Sequence, residues 1–73
     1  MDFFVTPTEL RTIGEALYGP RWQTSLADDL GVAGRTVRYW LSGDRTISAG
    51  VAADIRALAE QRADSIRAAL STR

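Results

Sequence analysis

QTSLADDLGVAGRTVRYWLS, residues 23–42, holds two short amphipathic helix patterns joined at a glycine. Trp22, just ahead of it, recurs with Leu26 and Leu30 every four residues, which stacks the three on one side of a helix with small Ala27 beside them. Gly31 ends that pattern. Glycine reaches positive φ at no steric cost, so it suits a sharp turn that sends the next helix off at a steep angle. On the second helix Val37, Trp40 and Leu41 face one way at i, i+3, i+4. Arg35, Arg38, Tyr39 and Ser42 fall at i, i+3, i+4, i+7 on a separate stripe. One face holds the fold and the other carries guanidinium groups outward.

Toward the N-terminus, Thr6-Pro7-Thr8-Glu9 marks a helix start. Thr6 can cap, Pro7 suits the first helical position, and Glu9 completes a capping box. Val5 and Leu10 are spaced for a hydrophobic staple. The spacing predicts a helix over Pro7–Tyr18, with Leu10, Ile13 and Leu17 facing the core, before Gly19-Pro20 ends it. Phe3 and Phe4, in the apolar arm 1–5, read as lids on that core, with pairing to a second subunit as the alternative.

Toward the C-terminus, Ser42-Gly43-Asp44-Arg45-Thr46 reads as a turn and Ile47 as an apolar anchor returning to the core. Ser48 then caps a last helix over about 49–70, on the order of 33 Å long at 1.5 Å per residue. Its stripe is Ala52, Ile55, Ala59, Ala63, Ile66 and Leu70, with Val51 and Leu58 widening the first half. A helix this long overhangs three shorter ones. Ala59, Ala63, Ile66 and Leu70 are therefore the expected interface with a twofold-related copy, the alternative being a helix that folds back on the first. The fold class is all-α: one domain over 1–73, of about four helices, with residues 22–42 as its helix-turn-helix.

Composition narrows the chemistry. Seventy-three residues, 45% of them hydrophobic, make one small compact domain rather than a disordered chain. A domain of this size buries only about 60% of its unfolded surface, which favours self-association. With no cysteine and no histidine, the chain offers no thiol nucleophile, disulfide, imidazole base or ordinary zinc site. No metal, cofactor or small-molecule ligand is expected, and an enzyme is the least favoured class. No apolar run is long enough to span a bilayer and no secretory core is visible, so the expected location is cytoplasmic. Net charge is zero, yet every one of the nine basic residues is arginine. Arg21, Arg35, Arg38 and Arg45 lie in or beside the helix pair, where a planar guanidinium fork can contact guanine or phosphate in bidentate fashion.

The pair resembles the helix-turn-helix of phage-repressor and Cro-like DNA-binding proteins, on Ala27 where the helices approach, Gly31 in the turn, Val32 after it, and Val37 with Trp40 on the buried side. Ala33 and Gly34 depart from that pattern, in which serine, threonine or aspartate caps the recognition helix. The resemblance implies a homodimeric, sequence-specific binder of double-stranded DNA. It also points to a transcriptional repressor that reads an inverted repeat through the major groove, with control of its own operon as the simplest form of regulation. It further implies a regulator carried by phages or mobile elements, of the anti-CRISPR-associated kind.

Within that reading Arg35, near the start of the recognition helix, contacts a base. Arg38 reads a base or holds a phosphate, its alternative being an ion pair with Asp28 or Asp29. Tyr39 touches a thymine methyl or a phosphate, or is a half-buried ring. Gln23 and Thr24, at the start of the supporting helix, meet phosphates with free amides, and Arg21, Ser42 and Arg45 flank them. Trp22 and Trp40 belong to the core. Asp28 and Asp29 point about 100° apart on a helix and read as a solvated face. Two rival classes are a helical protein-interaction module, such as an antitoxin or phage inhibitor, which acidic exposed faces would favour, and a DNA-targeting fragment of a recombinase or transposase.

Overall fold

The computed structural model describes residues 5–71. Four helices follow one another, α1 (Pro7–Tyr18), α2 (Trp22–Leu30), α3 (Gly34–Ser42) and α4 (Ala49–Ser71), and no strand occurs among the described residues. The chain is a small all-α domain with a long last helix. Phe3 and Phe4 lie outside the described residues.

Local signals set the ends of the helices. The Thr6 hydroxyl accepts from the Glu9 amide at 3.1 Å and the Glu9 carboxylate accepts from the Thr6 amide at 3.2 Å, which makes the capping box reciprocal. Val5 and Leu10, on either side of it, both lie in the core. Ser48 Oγ accepts from the Val51 amide at 3.2 Å and starts α4 in the same way. Gly31, at φ 72 and ψ 31, is left-handed and closes α2. The Val32 amide donates to Ala27 O at 3.0 Å and the Gly31 amide to Asp28 O at 3.2 Å, a paired closure that folds Val32 back over the end of the helix.

Helix α1 touches all three other helices. The core is Val5, Leu10, Trp22, Leu26, Ala27, Val37, Trp40, Ala52 and Ile55. Leu10, Leu26, Val37 and Ile55 are wholly enclosed. Truncating one of the buried leucines to alanine costs about 2–5 kcal/mol in such settings. Ile13, Leu30, Val32, Leu41, Ile47 and Leu58 pack half-buried around them, whereas Leu17 is half-buried at the edge.

Gly14 is the one core position that periodicity does not mark. A Cβ there would sit 2.1 Å from Cε3 of Trp22, so only glycine lets α1 lie directly against the indole. Helix α4 leaves the globule half-way along. From Glu60 to Ser71 every residue is exposed, and the molecule measures 45 × 31 × 20 Å.

Candidate nucleic-acid interface

Helix α3 separates its two faces sharply. Val37 and Trp40 are buried at 0% and 5% exposure, while Arg35, Arg38, Tyr39 and Ser42 are exposed. The stripe read from spacing therefore stands outward, supported by an indole and a valine on the opposite side.

Arg35 is the second residue of α3, and Arg38 follows one turn on. Among the described residues neither makes an ion pair, and Asp28 and Asp29 do not reach Arg38. The Arg38 side chain instead runs back along its own helix, placing Nη1 3.7 Å from where a Gly34 Cβ would be. The bare backbone of Gly34 and the Arg38 guanidinium thus share the N-terminal end of α3.

Tyr39 is 37% exposed. Its ring is covered by Arg45, whose guanidinium carbon lies 4.9 Å from the ring centroid. That stacking depends on the turn after α3. Gly43 is left-handed at φ 84, and the Arg45 amide donates to Tyr39 O at 3.3 Å, which brings Arg45 back over the tyrosine. Ser42 works inside the same turn. Its hydroxyl donates to Tyr39 O at 3.1 Å and accepts from the Asp44 amide at 3.3 Å, so its proton is engaged within the chain.

At the start of α2, Arg21 and Thr24 are exposed and Gln23 is half-buried; with Pro20 they line one shallow recess. Helices α2 and α3 have no side-chain acceptor at their N-caps, Arg21 and Ala33, whereas α1 is capped by Thr6 and α4 by Ser48. No side-chain acceptor meets the leading amides of these two helices, although in α3 the Thr36 amide donates to Ala33 O at 2.9 Å.

The arginines of α4 are engaged differently. Arg56 pairs with Glu60 at 2.7 Å, Arg67 with Asp64 at 3.2 Å, and Arg62 donates to Leu17 O at 3.3 Å. Arg11, on α1, is also exposed.

Asp29, read from sequence as a solvated carboxylate or as an ion-pair partner of Arg38, accepts from the Tyr18 hydroxyl at 2.5 Å and ties α2 to α1. Burial, followed by the hydrogen bond and the charge of Asp29, pushes the Tyr18 phenol up from 10.0 to about 12, against a lowering pull from Arg62. The Arg62 guanidinium carbon lies 5.8 Å from the centre of the same ring. Neither contact has a signal in the spacing of residues. Beside this cluster an open groove of about 480 Å³ runs between α2 and α4, with Asp29, Asp54, Glu60 and Asp64 around Leu30 and Leu58. Among the described residues no helix is long and apolar enough to cross a membrane. No family model, curated protein or solved structure matches the chain.

Proposed function

We propose that the chain is a sequence-specific binder of double-stranded DNA, acting in the cytoplasm as a homodimeric transcriptional repressor that reads an inverted repeat. The observation that carries this reading is the outward face of α3, where Arg35, Arg38 and Tyr39 stand exposed opposite buried Val37 and Trp40. A helix of this kind fits the major groove with its N-terminal residues against base edges. Arg35 is assigned to a base, Arg38 to a base or phosphate, and Tyr39, held by Arg45, to a thymine methyl or phosphate. Arg21, Gln23, Thr24 and Arg45 are assigned to phosphates, helped by the uncapped amides of α2 and α3. With the affinity drawn from phosphate neutralisation, binding weakens steeply as salt rises. Repression by occupying a promoter, including that of its own gene, needs no ligand, and no catalytic role is assigned. The sequence resemblance favours a regulator carried by a phage or mobile element.

Footprinting on DNA upstream of its own gene tests the reading. Arg35→Glu with Arg38→Glu is expected to abolish the protected site, since each bidentate base contact is worth about 1–3 kcal/mol, roughly ten- to a hundred-fold in affinity. Unchanged protection by the folded double variant overturns the assignment. The acidic groove between α2 and α4 favours a second reading, an interaction module for a basic protein partner. That reading predicts no protection of any DNA by the wild-type chain at low salt.

A further inference from the structure

The face of α4 that buries Ala52 and Ile55 continues as Ala59, Ala63, Ile66 and Leu70. The globule stops covering it at Arg62, whose side chain donates to Leu17 O at the end of α1. Further on, Ile66 is 54% exposed and Leu70 66%, the two most exposed large apolar side chains described.

Resting on the reading of the chain as a twofold DNA binder, we propose that this projecting face of α4 packs antiparallel against the same face of a second copy. Two properties make it its own complement. Along the stripe the side chains run small, small, large, large. A twofold axis crossing between residues 64 and 65 turns the stripe end for end, so that Ile66 meets the partner's Ala63 and Leu70 meets the partner's Ala59. The second property is charge. Glu60 and Arg67 flank the stripe on one side, two turns apart, with Asp64 further round toward the back of the helix. The same twofold keeps that flank on one side of the pair and brings Arg67 within two residues' rise, about 3 Å along the axis, of the partner's Glu60. The in-helix pairs Arg56 with Glu60 and Asp64 with Arg67 are exposed and weak alone. Across two helices Arg67 of each copy gains Glu60 of the other as a second carboxylate partner.

Two variants separate this from other occupants of the face. Arg67→Glu makes the flank acidic throughout, and Glu60→Arg makes it basic. The wild type is expected to sediment as a dimer, and each variant alone as a monomer with the helical circular dichroism of the wild type. Mixed in equal amounts, the two variants are expected to restore a one-to-one dimer. A monomeric wild type, a variant that dimerises alone, or a mixture that stays monomeric each overturns the proposal. These measurements contain no DNA and leave Arg35 and Arg38 in place, so failure of the pairing and failure of the DNA-binding reading are separate results.

Discussion

Of the six glycines, Gly14 leaves the least room for a side chain, because the indole of Trp22 lies where any side chain at position 14 would begin. A rigid, close-packed interior answers an added methyl by moving the ring or the helix. Gly14→Ala is therefore expected to lower stability by about 1–3 kcal/mol. Urea unfolding followed by tryptophan fluorescence would read this as a lower midpoint; an unchanged midpoint would mean that the ring yields freely. Tyr18 gives a second expectation. Its phenol is raised to about 12 in the folded chain against 10.0 unfolded, so the folded state keeps a proton that the unfolded state has lost. The stabilising contribution is complete below pH 10 and disappears as pH rises toward 12. Across that window the wild type should lose stability more steeply than Tyr18→Phe, and parallel stability curves would remove Asp29 from the account.

At the scale of elements, the contrast between capped and uncapped helices makes its own prediction. Ala33→Asp gives α3 the acceptor it lacks, worth about 0.5–2 kcal/mol. The same carboxylate stands beside the amides assigned to a phosphate. Thermal stability should rise while DNA affinity falls; a variant with both raised would show that no phosphate approaches that end.

Helix ends were the most legible part of the fold because their signals are local. The predicted span of α1, Pro7–Tyr18, is the observed one, and α4 starts at Ala49 behind Ser48, ending at Ser71 where the stripe predicts about 70. The outward stripe of α3 follows from the same periodicity. What joins one helix to another was not legible. Gly14 beneath Trp22, Tyr18 to Asp29 and Arg62 to Leu17 O bring together residues on different helices, and no spacing rule within one helix contains them. The stacking of Arg45 on Tyr39 was hidden for a related reason, since it requires the left-handed turn at Gly43 as well as both residues.

At the scale of the whole molecule, a domain with zero net charge places Arg21, Arg35, Arg38 and Arg45 in or beside one helix pair and engages Arg56, Arg62 and Arg67 of α4 within the chain, with Arg11 exposed on α1. Long-range attraction to a polyanion is then weak, and the proposed DNA contact would act within a Debye length, about 10 Å at 0.1 M salt. The bond from Arg62 to Leu17 O acquires a mechanical meaning in a paired molecule. It is the fulcrum at which a stiff arm of about 13 Å leaves the body. A tilt of some 10° there displaces the far end by roughly 2 Å over that length. In the proposed dimer, the angle set by buried Ala52 and Ile55 together with this bond would thus gauge the separation of the two copies of α3.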